Sequence, residues 1–197
     1  MFSKTHTSIR MKLPSLLITL VCLSFTAFAA KPLSEARVVE IIAMQHEDKL
    51  SEPALKIYPK ARKYEITVTS TDASGPNASG KVTATEKWVD GRYIVSEVQP
   101  AGPETRFGMV VEFDADSKRY RKYMVMGGKL IGYQEGIRVG DSRSVAWIDL
   151  TKSKFEPGID TLATETHTDT GTTWNAVSYV KGEFMRSEIG VAVVVKP

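Results

Sequence analysis

One cysteine occurs in the 197 residues, Cys22. It lies in an apolar amino-terminal run, so nothing downstream can be held by a disulfide or built on a thiolate. Leu20-Val21 lacks the small residue expected before a lipidated cysteine, and another apolar stretch follows it. There is no G-x-S-x-G elbow, no H-E-x-x-H pair, no paired-cysteine motif and no G-x-x-x-x-G-K loop. The usual marks of serine hydrolases, zinc proteases, zinc ribbons and nucleotide cradles are therefore missing. Of the three histidines, only His46 and His167 lie beyond residue 29. The sequence supplies no catalytic constellation and calls for no cofactor.

Charge of one sign is lacking as well. The precursor carries 26 Lys and Arg against 23 Asp and Glu. Lys4, Arg10 and Lys12 belong to a segment with the layout of a secretory signal: a positive start, the apolar run Leu13 to Phe28, and a small-x-small site at Ala27-Phe28-Ala29. The apolar run is about 16 residues, short of the ~20 that a membrane span needs. The reading is a signal peptide over 1–29, a mature chain from Ala30, and a periplasmic or secreted location without stable membrane insertion. Once those three cations are gone the remaining charges balance, which removes the electrostatic reason to propose nucleic acid as a partner. Residues 30–197 show no linker, repeat or low-complexity tract and read as one domain.

What the chain does have is alternation. Ser34 is an N-cap, and Leu33 and Val38 form a hydrophobic staple, which predicts a helix over 33–50 ended by Pro53. Ser51 to Lys63 reads equally as a second short helix or as extended chain. From Tyr64 onward, period-two segments recur about every ten residues: Tyr64 to Ser70, Lys81 to Val89, Arg92 to Val98, the meander Gly108 to Gly136, Arg143 to Leu150, Leu162 to Thr168, Thr172 to Val180 and Glu183 to Val195. Thr71 to Gly80 reads as a loop and contains the glycosylation acceptor Asn77-Ala-Ser79. Asp90-Gly91 and Gly127-Gly128 are tight-turn signals. Two-residue turns there would pair Trp88 with Tyr93 and Glu86 with Val95, then Met124 with Ile131 and Tyr123 with Gly132. Met124, Ile131 and Tyr133 would then share one face, and Lys122 and Glu135 could pair on the hairpin surface. Nine or ten strands with one amino-terminal helix predict an all-β antiparallel up-and-down barrel, lipocalin-like, with a sandwich as the other arrangement of this pattern.

Three groupings could carry chemistry. Glu165, His167 and Asp169 are spaced i, i+2, i+4 on a strand, where carboxylate and imidazole ligands can hold a divalent ion. The opposite face offers Leu162 among threonines, so the same trio also reads as a solvated outer face, and that is the preferred reading. Met124 and Met126 share a face and could bind Cu(I), although paired methionines without histidine or cysteine usually pack. His46, beside Glu47 and Asp48 near the expected helix end, reads as a dipole partner. No metal site is assigned.

The remaining signal is aromatic. Trp88, Tyr93, Phe113, Tyr120, Tyr133, Trp147 and Trp174 all fall in strands, and the inner face of a barrel this size is either filled or hollowed into a ligand cavity. Trp88-Val-Asp90-Gly91-Arg92-Tyr93-Ile-Val-Ser-Glu97, then Gly108, the turn at Phe113-Asp114, Arg119-Tyr120 and a Gly-rich return through Gly136 resemble a bacterial domain-of-unknown-function family of secreted, lipocalin-like barrels. The likeness covers residues 80–150. It implies a calycin-like barrel of the bacterial cell envelope with no established activity and no catalytic residues.

Two functions follow. One is a non-enzymatic barrel that holds a small apolar or amphipathic ligand against Trp88, Tyr93, Phe113, Met124, Tyr133, Trp147 and Trp174. The other is an interaction module of the envelope with a filled core, touching its partner through the Glu165, His167, Asp169 face or through Val191 to Val195 as an edge strand. The oligomeric state is open.

Overall fold

The computed structural model describes residues 31–59, 63–72, 75–76, 80–99, 107–150 and 159–195. The signal segment, the acceptor asparagine Asn77 and the break at Pro157-Gly158 lie outside them. The strands are β1 (Lys63–Asp72), β2 (Gly75–Pro76), β3 (Gly80–Val89), β4 (Tyr93–Gln99), β5 (Phe107–Asp114), β6 (Arg119–Met126), β7 (Lys129–Arg138), β8 (Ser144–Asp149), β9 (Ile159–Thr168), β10 (Gly171–Val180) and β11 (Glu183–Val194). Each of β3 to β11 pairs antiparallel with the next, β3 returns to β1, and β11 pairs with β1 from Tyr64↔Val194 to Asp72↔Arg186. Ten strands therefore make a closed antiparallel barrel, and the two-residue β2 pairs only with the end of β1.

Closure corrects one expectation. Val191 to Val194 is bonded on both sides, to β10 and to β1, and is not an edge available for strand addition.

Residues opposite each other in register share a face. Ala84, Glu86 and Trp88 on β3 lie with Tyr64 on β1, with Ile94 and Ser96 on β4, and with Val111 and Phe113 on β5; that set continues through Tyr120, Lys122 and Met124 on β6. It closes through Trp147, Glu165, His167, Trp174 and Ala192. This is the inner face. Two inner glycines make room for indoles: a Cβ at Gly136 would sit 2.6 Å from Trp147, and one at Gly190 would overlap the Trp174 ring.

The outer face of β4 to β7 is covered by α1 (Glu35–Ala43). Ser34 Oγ accepts from the Arg37 amide at 3.3 Å, which starts the helix as predicted. Val38 and Ile41 are fully buried on Val89, Tyr93, Val95, Val110, Tyr123, Val125 and Tyr133, with Leu33 packed alongside. The helix stops at Ala43, not at residue 50. Its last turn is capped from the sheet, Lys87 Nζ donating to the Ile42 carbonyl at 2.5 Å. Beyond it the backbone extends to pair with β3: the Glu47 amide donates to the Trp88 carbonyl at 2.8 Å, and His46 Nδ1 accepts from the Trp88 amide at 3.1 Å. His46 thus serves the sheet and is not a helix-end partner.

Of the two readings of Ser51 to Lys63, the helical one holds for Pro53–Ile57, a 3-10 helix. The Ser51 and Glu52 amides donate to the Gly91 carbonyl, Tyr120 Oη donates to the Ala54 carbonyl at 2.9 Å, and Arg143 Nε to the Ile57 carbonyl at 2.8 Å. Gly91, the β5–β6 turn and Arg143 all lie at one end of the barrel. The 3-10 helix is a plug in that end, with Leu55, Ile57 and Tyr58 buried against Ile94, Val111, Tyr120, Val145 and Trp147.

Both hairpins adopt the predicted turns and then slip. Asp90 and Gly91 have φ of 53° and 58°, and the Arg92 amide bonds the Val89 carbonyl, but the ladder resumes as Val89↔Tyr93, Trp88↔Ile94 and Glu86↔Ser96. Arg92 is the extra residue. After Gly127-Gly128 the pairing Met126↔Lys129 holds, and a bulge then sets Met124 against Gly132 and Tyr123 against Tyr133. Met124 and Tyr133 therefore lie on opposite faces. Lys122 and Glu135 are separated likewise, Lys122 pointing inward while outer Glu135 meets Arg119 at 2.8 Å.

Gly190→Ala puts a methyl group into the Trp174 ring and is expected to lower stability by about 1–3 kcal/mol through overpacking. Urea unfolding should show a lower midpoint with unchanged slope; an unchanged midpoint would mean that Trp174 does not pack over this glycine.

Candidate functional site

Beneath the plug, the barrel interior holds ionisable side chains among its apolar ones. Lys122 reaches across from β6 to β9, its Nζ 2.7 Å from Glu165 Oε2 and 4.2 Å from the centroid of the Trp147 ring. Trp147 Nε1 donates to the same oxygen at 2.8 Å. Burial alone would push the Glu165 carboxyl up, but Lys122, His167 and the two hydrogen bonds outweigh it and hold the group below its ordinary value. Lys122 and Glu165 therefore form an ion pair stacked on an indole.

His167 is two residues further along β9 and 2% exposed. Its Nδ1 lies 2.9 Å from Thr172 Oγ1, and its ring stacks on Tyr58 with centroids 4.0 Å apart. Burial, against the pull of Glu165, lowers its pKa from 6.5 to about 4, so the ring is neutral. Glu86 enters from β3 beside the hydroxyls of Tyr64 and Ser96. Burial raises its pKa from 4.5 to about 8, with Glu165 adding to the effect, and it keeps its proton at neutral pH. Burial also raises both tyrosine hydroxyls, Tyr58 and Tyr64.

Two atoms of this cluster, Tyr58 Oη and His167 Nε2, have no hydrogen-bond partner among the described residues, whereas Glu86 bonds the Tyr64 and Ser96 hydroxyls. Each such buried group costs roughly 1–3 kcal/mol if left unsatisfied. The rings that carry them, Tyr58 and His167, are in contact, and Glu86 and Glu165 both act electrostatically on Tyr58.

Of the seven aromatic and methionine positions singled out from sequence, Trp88, Phe113, Met124, Trp147 and Trp174 face inward. Tyr93 and Tyr133 do not, because the slipped hairpins turn them under α1. There Tyr133 Oη donates to Glu135 Oε1 at 2.6 Å and Tyr123 Oη to Glu112 Oε1 at 2.8 Å, beside Arg121, whose Nη2 meets Asp114 at 2.6 Å.

The Glu165, His167, Asp169 face is corrected. The first two are buried inside the barrel, while Asp169 lies beyond the strand with its side chain 93% exposed, paired to Arg143. Among the described residues no group of three or more His, Cys, Asp or Glu is placed to hold a metal ion. Met126 lies at a strand end and is 36% exposed.

Sequence reasoning missed Glu86, Lys122, Tyr58 and Tyr64 as site residues, and it placed Glu165 on a solvated outer face. The available signal was register: Glu165 falls opposite Trp174 and Val145, and Glu86 opposite Ser96, so each charged residue sits among inward neighbours.

A second concavity lies on the outer wall of β7 to β10. It is an open apolar groove of about 420 Å³ lined by Ile137, Ile148, Leu162 and Val177, with Arg119 and Glu135 on its margin. No helix among the described residues is long and apolar enough to cross a membrane.

No family model matches the chain, and no curated protein matches it in sequence. Among solved structures there is a distant match to a protein of unknown function from the DUF3598 family of Nostoc punctiforme. It is 8% identical over 76% of this chain and 100% of that one, with a TM-score of 0.23. A likeness this remote assigns neither family nor function.

The two shifted groups predict a pH signature. In the unfolded chain Glu86 ionises near 4.5, and in the barrel it holds its proton to about 8. Its contribution to stability is full below pH 4.5 and is lost as pH rises toward 8. His167 runs the other way, from 6.5 unfolded to about 4 folded; its contribution is full above 6.5 and is lost as pH falls toward 4. Between pH 6.5 and 8 only the Glu86 loss, at most about 1.4 kcal/mol per pH unit, is in play of the two. Glu86→Gln should flatten the decline of wild-type stability across that interval in urea titrations; a variant that declines as steeply would show that Glu86 is already ionised in the folded protein.

Proposed function

We propose that this protein is an exported, non-enzymatic barrel that binds a small molecule in its interior, beneath the 3-10 plug. The observation that carries this reading is the pair Tyr58 Oη and His167 Nε2, on rings in contact with each other and both buried without a hydrogen-bond partner among the described residues. Donors and acceptors held in place without partners are how a protein recognises a ligand by hydrogen bonds, because only the correct ligand restores the bonds lost on burial. Trp88, Trp147 and Trp174 supply the apolar surface around them. The amino-terminal segment with its Ala27-Phe28-Ala29 site supports export and cleavage before Ala30.

A second reading is a contact with another protein through the outer wall. It is favoured by Leu162, Ile189 and Val193, which are 52–55% exposed on β9 and β11. Leu162→Asp together with Val193→Asp would abolish such a contact and leave interior binding intact.

Native mass spectrometry of the mature protein, released under gentle conditions, is expected to show a mass excess that organic extraction removes. Amino-terminal sequencing should begin at Ala30. His167→Phe keeps the ring on Tyr58 but removes both nitrogens, and should lose the bound mass while remaining folded by circular dichroism. If wild type carries no extra mass and His167→Phe is simply more stable, the interior is a filled core and the binding reading fails.

A further inference from the structure

We infer that the outer wall from β8 to β11 is the interface of a homodimer, in which a second copy of this chain packs its own wall against it face to face. This rests on the reading of that wall as a protein contact and names the partner; it is independent of what the barrel interior holds.

Register sets the outward side chains of β8, β9, β10, β11 and β1 in transverse rows. The middle row is Ala146, Thr164, Asn175, Ile189 and Thr69. The rows beside it run from Ile148 to Thr71 and from Ser144 to Thr67, and none of the three contains Asp, Glu, Lys or Arg. Charged residues are 25% of the chain, and the outward face of a solvated wall is where they belong. Charge returns at the margins: Glu135 on β7 stands opposite Ile148, and Lys81 on β3 stands opposite Thr67. The uncharged face is thus bounded, and it lies on the part of the wall that α1 leaves bare.

The face also has relief. Along β11, Ile189, Val191 and Val193 project at every second position, 40–55% exposed, and make an aliphatic ridge. Toward β7 the groove of about 420 Å³ lies where the small Ala146 and Thr164 stand among Ile137, Ile148 and Leu162. A two-fold axis near β10 sets the ridge of each copy into the groove of the other, so one rotation satisfies both.

Charge points to the same partner. A face without ions offers a charged partner nothing to pair with, whereas two such faces desolvate without stranding an ion. Three rows of five positions, at about 4.8 Å between strands and about 6.6 Å along them, span on the order of 500 Å² in projection. Side-chain relief and the ridge add to this, which brings the face near the ~800 Å² per partner of a standard interface.

In analytical ultracentrifugation the mature protein is expected to approach twice the monomer mass as its concentration rises from about 1 to 100 μM, the weak end of the range open to an interface of this size. Thr173→Lys with Asn175→Lys puts like charges beside the axis at two exposed positions, and should raise the dimer dissociation constant roughly tenfold or more. The circular dichroism spectrum and urea midpoint should stay those of wild type. Asp116→Lys, in the β5–β6 turn, changes charge away from the face and should leave the dimer intact.

A monomer at every concentration overturns the homodimer. A dimer that survives both the lysine pair and Leu162→Asp with Val193→Asp overturns its placement on this wall. If the monomer instead captures a different envelope protein, and Leu162→Asp with Val193→Asp abolishes that capture, the broader reading of the wall as a protein contact stands while the homodimer fails. Flotation of the monomer with neutral phosphatidylcholine vesicles, lost in the same variant, would assign the wall to a lipid surface and overturn both.

Discussion

The ladder between β1 and β11 is the constraint on which everything else depends. It joins the two ends of the domain, Tyr64 to Val194 and Asp72 to Arg186, and turns a meander with two open edges into a closed wall. Closure decides the chemistry as well as the shape. Once the wall is continuous, the inward side chains lose the water that an open sheet would leave them, and each polar group must find a partner or change its charge state. Glu165 finds Lys122 and the Trp147 indole, and stays ionised; Glu86, with two hydroxyls and a second acid for company, holds its proton. Two glutamates on the inner face of one barrel thus behave differently because of what stands opposite them.

The strands from β4 to β7 are covered on both sides, and this doubling explains their composition. Their inner positions, among them Ile94, Val111, Tyr120 and Lys122, meet the plug and the polar cluster; their outer positions, Tyr93, Val95, Val110 and Tyr123, lie under Val38 and Ile41 of α1. Tyrosine suits the outer layer because its ring packs on the helix while its hydroxyl reaches an acid at the margin, as Tyr123 does with Glu112 and Tyr133 with Glu135. Tyr123 Oη also accepts from the Leu33 amide at 3.0 Å, which ties the start of the helix to the wall. On β8 to β11 no such layer lies over the outer wall among the described residues, and Leu162, Ile189 and Val193 remain about half exposed.

The barrel was legible in the sequence because alternation and turn chemistry are local, and both survived contact with the tertiary structure. Positive φ at Asp90, Gly91, Gly127 and Gly128 is what those dipeptides demand, and the strands they join are where the period of two placed them. The faces were harder to read. A single extra residue, Arg92 in one hairpin and Ile131 in the other, moves every later side chain to the opposite side. No local signal marks either bulge; Tyr93 and Tyr133 are drawn outward by the core that α1 creates, which is a non-local cause. His167 and Glu165 looked like surface residues because polar side chains on a strand usually are. Their burial follows from the strands on either side, which set Glu165 between Val145 and Trp174 and His167 against Thr172, information that the β9 segment does not contain.

A buried ion pair adds little net stability over apolar residues of the same shape, and an unsatisfied buried hydroxyl or imidazole subtracts some. The interior of this barrel could be filled more stably with leucine and phenylalanine, as its own plug contact shows: Leu55 is wholly buried among Ile94, Val111 and Val145 without any polar atom to place. Lys122, Glu165, His167 and Glu86 lie just beyond that contact, under a segment fastened by Gly91, Tyr120 and Arg143. Tyr58 links the two regions. It ends the plug, and its ring rests on His167, so a ligand of the kind proposed would press on the segment that closes the barrel. Under the proposed function, occupancy of the interior and the position of the plug would be coupled through this one side chain.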